Sequence, residues 1–164
     1  MCDRGLTGWH LVLNGSIDQG KDNFDYLNKV KRLARGYPVI FHNQGSFKTL
    51  QKDYGQAKIY WHATGYGLDE TTNPQAMEHL GISTVEAMSA GAVPIVINQG
   101  GQPEIVTDSV DGLLWSSQKE LIQKTQAVIN HQPLWQKLSS RAMIRANDFS
   151  KAKFCQQTKT IFHL

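Results

Sequence analysis

Glu78-His79-Leu80-Gly81-Ile82-Ser83-Thr84-Val85-Glu86-Ala87-Met88-Ser89-Ala90-Gly91-Ala92-Val93-Pro94-Ile95-Val96-Ile97, continued by Asn98-Gln99-Gly100-Gly101-Gln102-Pro103-Glu104, is the stretch from which the fold is read. As backbone it spells loop, short helix, strand, glycine turn and helix start. Gly81 can present bare amides at the start of the helix, and Ser83 and Thr84 suit a first turn. Ile82, Val85 and Met88 recur at three-residue spacing and predict one apolar stripe. Ala90-Gly91 closes the helix. Val93 to Ile97 is an uninterrupted apolar run whose Pro94 stands near its beginning, where a missing N–H matters least. The run reads as a buried parallel strand.

The two glutamates are eight residues apart, about 12 Å of rise if both were helical. Glu78 precedes Gly81 and is expected in the loop; Glu86 is expected inside the helix. They flank a helix entrance and are not a carboxylate dyad sharing a proton. A glycine-led helix N-terminus is an anion site, most often for phosphate. A carboxylate repels that phosphate, so Glu86 is better used on hydroxyls, where it accepts two hydrogen bonds from a vicinal diol. Phosphate at the amides and a diol at Glu86 describe a nucleotide or nucleotide-sugar. The competing reading is a solvent-facing helical glutamate, since glutamate forms helices well and is mostly exposed.

The same residues resemble the Glu-x7-Glu signature of the retaining glycosyltransferases of family 4, in the carboxy-terminal half of a two-domain GT-B enzyme. The resemblance continues through Glu86-Ala87-Met88-Ser89-Ala90-Gly91-Ala92-Val93-Pro94-Ile95-Val96, the Gly100-Gly101-x-Pro103-Glu104 turn and Asp111-Gly112-Leu113-Leu114. It implies that Glu86 holds a ribose diol and that amides around Leu80, Gly81 and Ile82 hold a diphosphate. It also implies that Glu78, the catalytic candidate, orients donor-sugar hydroxyls and stabilises charge near the reacting carbon. Glu104 lies beside the sugar in this reading, although an acid in a first helical turn is already explained by the helix dipole.

The 164 residues are expected to form one domain, large enough for a core without staples. The formal net charge of +3 is small and dispersed apart from Lys29-Val30-Lys31-Arg32, so no nucleic-acid footprint is indicated. The two cysteines, Cys2 and Cys155, have no metal spacing and fit a reducing cytosol, though a single disulfide stays open. No pair of His, Cys, Asp or Glu has convincing metal-ligand spacing. No apolar stretch reaches the length of a membrane span, and the start lacks a secretory apolar region. A cytoplasmic domain is expected, possible peripheral contact with an anionic membrane face being left open.

Upstream, residues 1–8 read as a lead-in, Trp9–Leu13 as a strand ending at Asn14-Gly15, and residues 17–23 as a loop or insertion. Phe24, Leu27, Val30, Leu33 and Ala34 mark an amphipathic helix ending near Gly36. Pro38–His42 is the next strand, followed by a cap at Ser46 and a helix carrying Phe47 and Leu50. The resemblance sets the loop after this strand against the nucleotide base. Phe41 and Gly15, at the two strand exits, are therefore nucleotide-side candidates; Asn43 stands where the family commonly has glycine. Ala57–His62 is the third strand, and the polar loop 68–76 is placed by the resemblance beside the donor sugar. His42, His62, His79, Asp69 and Glu70 are titratable residues along this path, each more simply read as structural or solvated. Downstream, Leu113-Leu114-Trp115 reads as a short strand, 118–130 as a helix, and Pro133 to Arg145 as another. Asn147–Ser150 interrupts before a last helix that resembles the GT-B crossover helix.

Strands alternating with helices argue a Rossmann-like, doubly wound α/β fold with ligands at the strand C-terminal edge. The resemblance implies a nucleotide-sugar donor, no metal or other cofactor, and an amino-terminal GT-B domain as partner. A sugar, lipid or other hydroxyl compound would be the acceptor. It also implies an Arg and Lys phosphate clamp before the first strand, for which Arg4 is a poor replacement. The parent is expected to be a hexosyltransferase-type enzyme and the isolated chain inactive. A nucleotide-sugar epimerase of the same architecture, and a binding or interaction module descended from a transferase, stay open.

Overall fold

The computed structural model describes residues 7–16, 21–43 and 45–163. In chain order the elements are β1 (Leu11–Gly15), α1 (Lys21–Leu33), β2 (Val39–Asn43), α2 (Phe47–Gln56), β3 (Ile59–His62), α3 (Ile82–Ser89) and β4 (Val93–Ile97). They continue with α4 (Gln102–Ile105), β5 (Leu113–Trp115), α5 (Gln118–Asn130), α6 (Gln132–Ala146) and α7 (Lys151–Phe162). The alternation of strand and helix is the expected mixed α/β architecture, and every strand pair is parallel. Two compact units succeed one another, Met1–Asp53 and Tyr54–Leu164.

In the first unit β1 and β2 pair in register from Leu11↔Val39 to Gly15↔Asn43. The strands lie one or two residues later than the apolar runs suggest, because pairing carries on through Asn14, Gly15 and Asn43. Helix α1 begins at Lys21, so the expected loop over 17–23 is shorter at its far end. Its stripe is only partly covered: Leu27, Val30 and Ala34 are half-buried, whereas Phe24 and Leu33 are exposed, contrary to the amphipathic reading. Two strands and one helix offer too little apolar surface to bury a whole stripe. Arg4, Cys2, residues 17–20 and Gln44 lie outside the described residues.

The second unit is built on β4, whose five residues are all buried, flanked by β3 and β5. Alternation along the strand divides the core. Val93, Ile95 and Ile97 pack with Leu113, Trp115, Val128 and Leu138, drawing on α5 and α6. Val96 packs with Met88, Ile105, Val106, Ala142 and Ala146. Helical cover on both faces is what an apolar run without alternation requires of a parallel strand. In α3 the buried residues are Thr84, Ala87 and Met88, and Ile82 is 61% exposed, so the predicted stripe is corrected at its first member. Ile82 belongs to the helix's first turn, which emerges at the strand C-terminal edge. No helix among the described residues is long and apolar enough to cross a membrane.

Candidate functional site

At the C-terminal edge of β3 and β4 the second unit gathers a loop, a helix start and a glycine turn. A 3-10 turn at Pro74–Ala76 leads into buried Met77, which anchors the chain just before Glu78. Gly81 then adopts the left-handed conformation (φ 63°) as the N-cap of α3. The positive φ favours glycine, and an added Cβ would also press on the tips of two buried side chains, 2.6 Å from Ile105 Cδ1 and 3.0 Å from Gln102 Nε2.

Glu78 is not a free carboxylate. Its Oε1 accepts from the Gly81 amide at 2.9 Å and the Leu80 amide at 3.3 Å, and its Oε2 lies 3.2 Å from His62 Nε2. Its main-chain carbonyl accepts from the Gly101 amide at 2.7 Å. The Gly81 amide foremost, then Leu80 and His62, hold the Glu78 carboxyl below its usual range against an opposing push from burial. It is therefore an anion at neutral pH and is unsuited to donate a proton.

This alters the amide inventory. Leu80 and Gly81, two of the three amides expected to meet a diphosphate, are occupied by the chain's own carboxylate. The Ile82 and Ser83 amides, at the first two helical positions, have no hydrogen-bond partner among the described residues, as geometry demands of a helix start. Ser83 Oγ accepts from the Tyr60 hydroxyl at 2.8 Å.

Glu86 is an exposed residue on the second turn of α3, its carboxylate within reach of the Tyr54 hydroxyl. The Tyr60 phenol is pushed up by burial, against the lowering effect of its hydrogen bonds with Ser83 and Thr84 and with smaller rises from Glu78 and Glu86. Tyr54 is pushed up by burial, by Tyr60 and by Glu86. Behind the helix start, fully buried Gln102 accepts from Thr84 Oγ1 at 3.0 Å through Oε1, while its Nε2 has no hydrogen-bond partner among the described residues. Glu104 is exposed on α4; its carbonyl accepts from Arg145 Nη2 at 2.6 Å.

Other polar residues have structural partners. Glu70 accepts from the Gly100 amide at 3.3 Å, and Gln99 Nε2 donates to the Leu68 carbonyl at 3.2 Å, fastening the polar loop to the glycine turn. Asp69 accepts from the Thr72 amide at 2.9 Å, and His79 Nε2 donates to the Pro74 carbonyl at 3.1 Å. Among the described residues no group of three or more His, Cys, Asp or Glu is placed to hold a metal ion.

In the first unit Gly15 and Phe41 line one cavity of about 310 Å³ with Leu13, Asn14, Tyr26 and Asn43. Beside it, Asp53 Oδ2 accepts from Asn14 Nδ2 at 2.7 Å and lies 2.7 Å from His42 Nδ1. Against the upward push of burial, these two bonds and nearby charge hold the Asp53 carboxyl below its ordinary value.

The sequence profile described as "Glycosyl transferases group 1" matches residues 4–145. The chain belongs to the glycosyl transferases group 1 family. It is 30% identical over 162 residues to the alpha-1,3/1,6-mannosyltransferase ALG2 of Dictyostelium discoideum, covering 96% of this chain and 37% of that protein. Its fold is similar to that of Anabaena Alr3699/HepE in complex with UDP and glucose, with a TM-score of 0.75 and 23% identity, over 94% of this chain and 41% of that one. It is also similar to the C-terminal domain of the glycosyl transferase group 1 protein LpcC from Francisella tularensis, with a TM-score of 0.64 and 17% identity over 78% and 64% of the two chains. The chain thus spans well under half the length of the mannosyltransferase, and it shares the fold of GT-B glycosyltransferase C-terminal domains.

Within this group 1 domain, the structure brings Glu78, Leu80, Gly81 and Ile82 together at one helix entrance and sets Glu86 one turn further along α3. Glu104 follows the glycine turn at the same strand edge, whereas Gly15 and Phe41 belong to the first unit. Sequence reasoning gave too little weight to His62 and did not single out Tyr60, Gln102 or Arg145. The available signal for His62 was its place at the end of a buried parallel strand, where ligand-side residues collect.

Proposed function

We propose that this chain is the donor-binding half of a retaining glycosyltransferase. Its parent transfers a glycosyl group from a nucleoside-diphosphate sugar to an acceptor hydroxyl. The carrying observation is the division of labour at the α3 entrance: the Ile82 and Ser83 amides stay open while Glu78 is held as an anion beside them. The amides and the positive end of the helix dipole meet the diphosphate. Glu78, unable to give up a proton it does not hold, orients sugar hydroxyls and favours positive charge developing at the reacting carbon. Glu86 takes the ribose diol, and Glu104 reaches the sugar from the neighbouring turn. Gly15 and Phe41 are kept as nucleotide-side candidates through the cavity they share. The UDP and glucose bound by Anabaena HepE support the choice of donor class.

The amino-terminal GT-B domain is the proposed partner, and the phosphate charge is met by protein groups without a resident metal. A cytoplasmic setting, at the inner membrane face where the acceptor is a lipid, belongs to the same proposal.

Calorimetric titration of the full-length protein carrying this chain with UDP, GDP and ADP tests the assignment. Glu86→Ala should weaken the preferred diphosphate by about tenfold, the loss of one charge-assisted hydrogen bond or more. It should also abolish the native preference for the ribose form over its 2′,3′-dideoxy analogue. An unchanged affinity would remove Glu86 from the ribose.

A further inference from the structure

The Glu78 carboxylate is gripped from two sides. The Leu80 and Gly81 amides hold Oε1, yet two donors on one oxygen leave the carboxylate plane free to turn. Among the described residues the second oxygen is met by one group, His62 Nε2 at 3.2 Å. His62 is the last residue of β3, paired with Val96 of the buried central strand, and its side chain is only 8% exposed. The donor therefore comes from the rigid sheet and cannot be exchanged readily for water.

We infer that His62 is a positioning residue for donor-sugar recognition, fixing the Glu78 carboxylate plane so that one remaining acceptor direction faces the sugar. The inference rests on the donor-binding reading above. An ionised carboxylate offers about four acceptor directions. Gly81, Leu80 and His62 take three, leaving room for one sugar hydroxyl.

The imidazole tautomer follows from its surroundings. A carboxylate accepts and does not donate, so Nε2 carries the hydrogen. Nδ1 is buried and has no hydrogen-bond partner among the described residues; a bare nitrogen there is better tolerated than an unpaired N–H. Burial pushes the imidazole below its ordinary value, with Glu78 opposing, so the neutral ring is the working form. The Ile82 and Ser83 amides do not depend on this contact. Losing it should release the sugar end of the donor and leave the diphosphate end in place.

Two substitutions in the full-length protein separate positioning from packing. His62→Gln keeps a side-chain N–H near the Nε2 position; His62→Phe keeps a ring's bulk and removes the donor. The readout is affinity for UDP-glucose relative to UDP, with GDP-glucose/GDP and ADP-glucose/ADP run alongside. The native protein and His62→Gln should share one ratio. His62→Phe should lose about tenfold of it, the loss of a hydrogen bond to a charged group, with diphosphate affinity unchanged. A native ratio in His62→Phe, or equal losses for donor and diphosphate, would overturn the role.

Nitrogen NMR of ¹⁵N-histidine-labelled protein reads the pair without ligand. The expected pattern is the Nε2–H tautomer, with its resonances moved by Glu78→Gln; an Nδ1–H tautomer would overturn the assignment. Failure of the native protein to bind any of the three diphosphates would refute the donor-binding reading, and the sugar role of His62 with it. Diphosphate binding with an unaltered ratio would refute the His62 role alone.

Discussion

Replacing Gly101 by alanine should loosen Glu78 without touching its side chain. The Gly101 amide donates to the Glu78 carbonyl at 2.7 Å. A Cβ at Gly101 would stand 2.5 Å from the His79 carbonyl oxygen and 3.0 Å from its carbon. Both are backbone atoms, so no rotamer relieves the contact. Carbon–oxygen neighbours ordinarily keep about 3.3 Å or more, and the Glu78–His79 backbone must retreat by the difference. The φ of −73° is ordinary for alanine, so contact rather than dihedral strain decides the outcome. Overpacking costs about 1–3 kcal/mol and the lost hydrogen bond about 1 kcal/mol. The reduced freedom of the unfolded chain returns about 0.4–1 kcal/mol. The net loss is about 1–3 kcal/mol, lowering the urea midpoint by about 1 M at a typical slope. Tryptophan fluorescence, to which buried Trp115 contributes, follows the transition. Gly55, in α2 with open space around a would-be Cβ, is the control; Gly55→Ala should stabilise by about 0.5–1 kcal/mol. A Gly101→Ala midpoint equal to the native one, with Gly55→Ala responding as expected, would refute the close-approach argument.

Thr84→Val should cost about 1–3 kcal/mol, because it leaves the buried Gln102 amide without its hydroxyl partner; adding Gln102→Met should recover most of that loss in the same urea assay. Arg145→Lys should lower stability by about 1–2 kcal/mol, since the guanidinium spans the Ile105 and Glu104 carbonyls and Asp148 while covering the Phe149 ring. A native-like Lys variant would show that one contact suffices. For pH, the folded His62 pKa lies below its ordinary 6.5, so the unfolded chain takes up its proton first and stability falls as pH drops through that value. Denaturation midpoints from pH 8 to 5.5 should fall less in His62→Phe than in the native protein; parallel curves would refute this. Glu78, with its folded pKa below 4.5, contributes stability that persists above that value and is lost as pH falls through the folded pKa. Subtracting the Glu78→Gln curve below pH 5 isolates this contribution, and a zero difference would contradict the hydrogen-bonded anion.

Local pattern carried much of the second unit. Val93–Ile97 and Leu113–Trp115 read as strands and 118–130 as a helix, and these are the bounds of β4, β5 and α5. These segments announce themselves because a strand covered on both faces needs an unbroken apolar run. The first unit was less legible. Phe24 and Leu33 have the spacing of a buried stripe, yet spacing specifies a face and not how much surface will cover it.

The sequence alone determined the parallel α/β class, the loop position of Glu78, the helical position of Glu86 and the glycine at the α3 entrance. Each depends on neighbours within a few residues, where turn chemistry and periodicity act. Only the tertiary structure decided that Glu78 closes onto the Leu80 and Gly81 amides, leaving Ile82 and Ser83 open. The same holds for His62 meeting Glu78 from another strand and for Gly100-Gly101 abutting the Glu78–His79 backbone. The physical reason is separation along the chain. Periodicity reports which way a residue faces, but the parallel register of β3 and β4 brings a strand end and a distant loop into hydrogen-bond range.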